Sequence, residues 1–272
     1  MENIICVPLE KYEGIGTGGE NEHTWKITSV IGEGVSGTVW QACSTITPSL
    51  QARDTTSSKY VLKYIPLEHA SWRPGGGSKD TDGVNRRLER KREKSKAVIK
   101  KEIGIQQAIA KFDMAVPIID SWFCETGGVI IMRSLKQTVE SLLKEYKSDY
   151  VRHLIIGVCL GMVAKLQRFK YYHGDAHLSN IMVDYSDEDE KLALEAETDE
   201  KKRYSLYKYK YYFIDFGRSG NFPESDAEIK GDYVGILSGL TKLAHNDDSF
   251  LPMIVFLRTY ISSFTNPIFP KE

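Results

Sequence analysis

The octet His173-Gly174-Asp175-Ala176-His177-Leu178-Ser179-Asn180 constrains this chain more than any other stretch. It sets an acid and an amide five positions apart behind a histidine, just after an apolar segment with the 3.6-residue spacing of a helix. Further along, the run Phe213-Ile214-Asp215-Phe216-Gly217 reads as a short apolar strand ending in an aspartate, forty positions after Asp175. Together the two stretches suggest metal-assisted phosphoryl transfer.

The amino-terminal third adds groups of the same kind. Trp25 to Ile31 has the β-branched pattern of a strand and runs into Gly32-Glu33-Gly34-Val35-Ser36-Gly37-Thr38-Val39. Glycines at 32, 34 and 37 let a turn pass close over a phosphate chain, and they lie between strand-like segments rather than opening a helix. Val39 follows at the place where an apolar side chain could cover a purine. Residues 41 to 58 read as a polar loop, and Tyr60 to Ile65 as an alternating strand whose one charge is Lys63. A lysine there is an edge residue, or it meets an anion. From Ala97 the pattern turns helical, with Ile99, Ile103, Gln106 and Ala110 on one side and Glu102 near the middle.

Further strands are expected at Val116 to Ile119 and Gly128 to Met132, with a connector at Arg133-Ser134-Leu135. Helices follow at Thr138 to Tyr146 and Tyr150 to Phe169, the second carrying Val151, Leu154, Ile155, Val158, Met162 and Leu166 at helical spacing. Ile181 to Val183 and Lys208 to Ile214 read as strands, with helices from Gly231 and over Phe250 to Ser262. The tail Asn266 to Pro270 reads as extended. Two stretches are inserts: a basic one at 71–97, with Pro74 to Gly77 and seven Arg or Lys between Arg86 and Lys96, and a charged one at 185–207.

The order of glycine loop, strand lysine, helix glutamate, H-G-D-x-x-x-x-N and D-F-G resembles the protein-kinase-like superfamily over residues 25 to 245. The resemblance implies an α+β, two-lobed protein-kinase-like fold, with a small mostly-β N-lobe and a reduced mostly-α C-lobe. The expected boundaries are 1–24 for an extension, 25–132 for the N-lobe and 133–272 for the C-lobe. It further implies ATP and Mg²⁺ as cofactors. Ile31, Gly32, Gly34, Gly37, Val39, Val61, Lys63, Met132 and Ser134 would surround the nucleotide, in a cleft between the lobes. Glu102 would pair with Lys63, Asp175 would accept the acceptor's hydroxyl proton, and Asn180 and Asp215 would hold the metal. Asp232 resembles a helix aspartate that braces the catalytic loop; a first-turn or N-cap carboxylate is the alternative.

Two departures shape the expectation. Gly174 stands where regulated kinases commonly carry arginine, and no A-P-E sequence follows Gly217, which argues against control by activation-segment phosphorylation. His177 stands where protein kinases usually carry a lysine against the γ-phosphate, and a histidine can still donate a hydrogen bond there. The loop is similar to those of small atypical kinases of the RIO type, and also to aminoglycoside and choline phosphotransferases. An atypical serine/threonine protein kinase is the first reading, of a compact type also encoded by large DNA viruses; the alternatives are a small-molecule kinase and a pseudokinase that only binds nucleotide.

Composition narrows the partners. Thirty-six basic and thirty-seven acidic side chains leave a net charge of -1, so no overall field draws nucleic acid or an anionic membrane. The basic insert has no interleaved aromatics for base stacking, so partner contact or a solvated helix extension is expected there rather than nucleic-acid binding. A protein substrate with a Ser or Thr acceptor is the expected partner. Cys6, Cys43, Cys124 and Cys159 show no metal-ligand spacing and read as reduced, mostly buried thiols. The start lacks a signal pattern and the run Leu154 to Ala164 is too short to span a bilayer, so a soluble, cytoplasmic protein is expected.

Overall fold

The computed structural model describes residues 14–17, 24–34, 37–44, 60–67, 81–124, 126–186, 209–221 and 226–263. Val35 and Ser36 of the glycine turn, most of the 45–59 loop, Pro74 to Gly77, the charged insert from Asp187 to Lys208 and the tail from Phe264 lie outside the described residues. The chain divides into two compact units, Met1–Gln107 with Pro117–Ser134, and Ala108–Val116 with Leu135–Glu272. The class is α+β, with an antiparallel sheet in the first unit and mostly helix in the second.

In the first unit, β1 (Gly14–Thr17), β2 (Thr24–Gly34), β3 (Gly37–Ser44), β4 (Tyr60–Pro66), β5 (Ile118–Phe123) and β6 (Gly127–Arg133) form one sheet of order β1-β2-β3-β4-β6-β5. Every neighbouring pair is antiparallel. Side chains alternate across such a sheet, so each strand gives half its residues to each face. One face packs Trp25, Ile27, Trp40, Ala42, Leu62, Tyr64, Trp122, Val129 and Ile131 into a core. Burying side chains of that size contributes about 1.5–3 kcal/mol each, which holds the sheet and fixes its register.

Helix α1 is Thr81–Ala110, so it begins sixteen residues before the helical pattern expected from Ala97. Its buried side chains are Ile99, Glu102, Ile105, Gln106 and Ile109, whereas Ile103 and Ala110 are only half-buried. That stripe has the period of a helix centred on Glu102. Between Thr81 and Lys96 the sequence offers only Val84 and Leu88 as large apolar residues, and in the described part of that stretch Arg90, Lys91 and Lys94 are exposed while Arg92 and Lys96 are half-buried. Within α1, Glu93 pairs with Lys96 at 2.9 Å.

The second unit holds α2 (Val139–Glu145), α3 (Asp149–Arg168), α4 (Asp226–Ala244) and α5 (Leu251–Ser263). It also has two small antiparallel sheets, of order β10-β9-β7 and β11-β8. Their strands are β7 (Gln137–Thr138), β8 (Tyr171–Tyr172), β9 (Ile181–Asp184), β10 (Lys210–Phe213) and β11 (Gly220–Asn221). Thr138 and Ser148 cap α2 and α3 with their hydroxyls. Arg152 on α3 is buried; its guanidinium donates to the carbonyls of Leu143 and Tyr146, meets Asp247 at 2.9 Å and stacks over Phe250. A buried cation with that many partners clamps the ends of three segments together.

Of the cysteines, Cys159 is buried, and Cys43 and Cys124 are half-buried rather than fully enclosed; Cys6 lies outside the described residues. Among the described residues no helix is long and apolar enough to cross a membrane.

Helix α4 approaches the loop after β8 closely: a Cβ on Gly235 would stand 2.6 Å from the carbonyl oxygen of Ala176. Gly157 on α3 has nothing within 4 Å of that position. Gly235→Ala should cost about 1–3 kcal/mol in chemical denaturation, the overpacking range, whereas Gly157→Ala should gain about 0.5–1 kcal/mol from helix propensity. Equal effects of the two would contradict the close approach.

Candidate functional site

In the first unit, register places four of the expected nucleotide-binding residues, Val39, Val61, Lys63 and Met132, on the sheet face opposite the aromatic core. Gly32 pairs with Val39, Val39 with Lys63, and Val61 with Met132. Cross-strand partners point to one side, and Val61 and Lys63 are two residues apart, so Val39, Val61, Lys63 and Met132 share a face. Leu62 and Tyr64, between and beside them, point into the core. Gly34 lies opposite Gly37 at the end of the β2–β3 hairpin. Ile31 is exposed on β2, and Ser134 follows β6 half-buried.

Lys63 is buried, and its ammonium donates to Glu102 Oε1 at 2.6 Å. A charge in that position is costly unless it is paired and hydrogen-bonded, and the α1 carboxylate answers that cost. One turn further along α1, Gln106 donates through Nε2 to the Met132 sulfur at 3.0 Å. Residues 102 and 106 therefore lay a polar stripe along the Lys63 face. Gln106 was expected only to mark the side of the helix that packs inward.

In the second unit the octet forms a loop whose backbone is satisfied almost residue by residue. The carboxylate of Asp232, fully buried on α4, accepts the His173 N–H at Oδ2 and the Gly174 N–H at Oδ1, both at 2.8 Å, and it also bonds the Ala176 N–H. Asp232 is the seventh residue of α4, which starts at Asp226 rather than near Gly231, so the N-cap and first-turn alternatives are set aside. Inside the loop the His177 N–H donates to the Asp175 carbonyl at 2.9 Å and the Asn180 N–H to the His177 carbonyl at 2.8 Å.

Asp175 keeps about a third of its side chain exposed, at 33%. His177 is half-buried, and Asn180 is buried on a turn of 3-10 helix, Leu178–Asn180. The Asn180 amide donates through Nδ2 to the Asp175 carbonyl at 3.0 Å, which leaves its Oδ1 outside that bond. The next residue, Ser179, donates its hydroxyl to Glu140, and this is the main cause of a lowered carboxyl pKa at Glu140.

Asp215 is tied to this loop by its neighbours. The Ile214 N–H donates to the Asn180 carbonyl at 3.0 Å, and the Ile214 carbonyl accepts from His173 Nε2 at 2.9 Å. Asp215 itself has φ 63, in the left-handed region where an aspartate is tolerated at a cost and where strain marks functional positions. Among the described residues no group of three or more His, Cys, Asp or Glu side chains is arranged to hold a metal. The donor set of Asn180 and Asp215 is of another sort, one amide oxygen and one carboxylate, which suits a hard cation that keeps water and substrate oxygens as its remaining ligands.

Two groups behind the loop titrate in opposite senses. Burial pushes the Asp232 carboxyl up to about 6, against the pull of its three backbone N–H partners. Burial takes the His173 imidazole down to about 4, while its bond to the Ile214 carbonyl works the other way. His173 is thus neutral, with Nε2 as its donor and Nδ1 buried without a hydrogen bond.

Sequence reasoning missed Ser219 and Arg218. The Ser219 hydroxyl donates to the His173 carbonyl at 2.8 Å, and Arg218 Nη1 stands 3.5 Å from Asp175 Oδ1. The D-F-G run gave the signal for both, since the two residues after it must pass alongside the octet once Ile214 is bonded to Asn180.

Removing one member of the buried pair should cost more than removing both. Glu102→Gln is expected to lose about 3–5 kcal/mol because Lys63 loses its carboxylate, with Lys63→Met/Glu102→Leu closer to the parent. Tryptophan fluorescence follows this unfolding, since Trp25, Trp40 and Trp122 are buried in that unit.

The pH dependence has a defined sign. The raised pKa of Asp232 gives stability that is present below about 4 and lost as pH rises through about 6; the depressed pKa of His173 gives stability that is present above about 6.5 and lost as pH falls toward 4. Each is worth about 3 kcal/mol and the two nearly cancel. Asp232→Asn leaves only the histidine contribution, so the stability of this unit should rise with pH between about 4 and 6.5, by hydrogen exchange, where the parent is nearly flat.

No family profile matches this sequence. No curated protein matches it either. Among solved structures it is similar to vaccinia related kinase 3, at 15% identity and a TM-score of 0.41, over 77% of this chain and 52% of that one. The chain therefore spans about half the length of that structure.

Proposed function

We propose that this chain is an ATP- and Mg²⁺-dependent phosphotransferase, an atypical protein kinase acting on serine or threonine. The observation that carries the reading is the buried pair of Lys63 and Glu102, at 2.6 Å. The two residues are 39 positions apart in sequence and stand where the motif order assigns a phosphate-binding lysine and its orienting acid. A surface lysine would explain neither the burial nor the partner.

In the first unit, Gly32, Gly34 and Gly37 offer backbone N–H groups to phosphates, and Lys63, aimed by Glu102, neutralises α/β-phosphate charge. Ile31, Val39, Val61 and Met132 supply apolar surface for the base, and the backbone at Ser134 offers it polar partners. In the second unit, Asn180 and Asp215 would hold Mg²⁺, which supplies charge neutralisation for the phosphate oxygens.

Asp175 takes the hydroxyl proton as the acceptor oxygen bonds to the γ-phosphorus. The bond from that phosphorus to its bridging oxygen breaks, and ADP carries away the electron pair. His177 donates a hydrogen bond to phosphate oxygen. Asp232 acts only through the loop: by fixing the backbone at His173, Gly174 and Ala176 it holds Asp175 in place before substrate arrives.

Incubation with Mg²⁺ and γ-labelled ATP should label a serine- or threonine-bearing acceptor. Asp175→Ala should lower the rate by a factor of about 10² or more, and Asp215→Ala should abolish labelling. Undiminished labelling by Asp215→Ala would sink the assignment.

A further inference from the structure

Two chain segments run antiparallel beside the octet and stay in register past the end of their strands. Asn221 pairs with Tyr171 and Gly220 with Tyr172. Next, the Ser219 hydroxyl meets the His173 carbonyl, and Arg218 comes opposite Gly174. There the chains approach so closely that a Cβ on Gly174 would lie 2.4 Å from the Arg218 carbonyl oxygen, and Gly174 has φ +77. Both facts demand glycine. An arginine just before Asp175 would not fit, and the register puts the Arg218 guanidinium beside that carboxylate instead.

The contact is loose. Arg218 Nη1 lies 3.5 Å from Asp175 Oδ1, and the Arg218 side chain is 68% exposed. An exposed pair at that distance does little to hold a fold. A guanidinium has five N–H donors in a fixed fork, so most of its capacity faces outward from a backbone that cannot wander. On the reading proposed above, Asp175 marks the place of the acceptor hydroxyl.

We propose that Arg218 is a specificity-determining residue, held beside Asp175 by the β8–β11 register, that selects acceptors carrying an anionic side chain next to the hydroxyl and turns away cationic ones. The substrate class is then serine or threonine in an acidic peptide. Amino-alcohol and aminoglycoside acceptors bring positive charge to the same place and are repelled. This inference rests on the phosphotransfer reading and names its acceptor.

The test offers the full chain, with Mg²⁺ and ATP, four serine peptides differing only in the flanking residues: aspartate, phosphoserine, alanine and lysine. Choline is a fifth acceptor. The parent should show a KM for the aspartate or phosphoserine peptide about tenfold below that for the alanine peptide, with the lysine peptide and choline poorest. Whichever of the first two is preferred identifies the source of the anion. In Arg218→Ala the KM ratio of acidic to neutral peptide should collapse to about one, and in Arg218→Glu the lysine peptide should become the better acceptor. Arg218→Lys, which keeps the charge, should retain part of the preference.

The same ranking in parent and Arg218→Ala, or a parent preference for lysine flanks or choline, overturns the proposal while phosphotransfer stands. Absence of any turnover of ATP that depends on Asp215 removes the reading beneath it as well.

Discussion

The buried carboxylate of Asp232 is the constraint on which the second unit's candidate site depends. A loop that must present Asp175 and Asn180 has unpaired N–H groups of its own, and an unpaired buried N–H is expensive. Asp232 takes three of them at once, so the loop can stay irregular without an ordinary ladder or helix. Its raised pKa records the cost, and the neutral His173 beside it keeps a second charge out of the same enclosure. His173 in turn reaches the Ile214 carbonyl, and Ile214 reaches Asn180. Asp175, Asn180 and Asp215 are therefore positioned by one connected set of bonds, none of which uses the atoms that would meet a substrate.

In the first unit the corresponding device is alternation. One set of strand residues fills an aromatic and aliphatic core, and the intervening set is left to present Val39, Val61, Lys63 and Met132 on the other face. The core pays for the site: with register fixed by large side chains, a lysine can stand on the opposite face and be met by Glu102 from α1.

Much of this was legible because the signals are local. Alternation around Lys63 and the 3.6-residue period of α3 marked elements to within a few residues, and the octet declared a loop. Other features were not, for reasons that can be named. The start of α1 at Thr81 lies in a polar stretch with no apolar stripe, so periodicity had nothing to read until the helix met the sheet near Ile99. The partners of Asp232 lie 59 and 58 residues away, and a lone aspartate early in a helix also suits a cap. Arg218 follows the D-F-G run directly, which hints that it passes the octet, but the two-residue strand pair that sets its register beside Asp175 is too short to leave a pattern. Cys43 and Cys124 were expected to be buried from residue type alone, and their half-exposure reflects where their strands end.

The most direct measurement is titration calorimetry of ATP binding with and without Mg²⁺, on the parent chain and on Asp215→Asn. Binding should weaken by about tenfold or more when Mg²⁺ is withheld, and to a similar degree in Asp215→Asn with Mg²⁺ present. Equal affinity in all of these conditions, or no binding of ATP by the parent, would contradict the phosphotransfer reading.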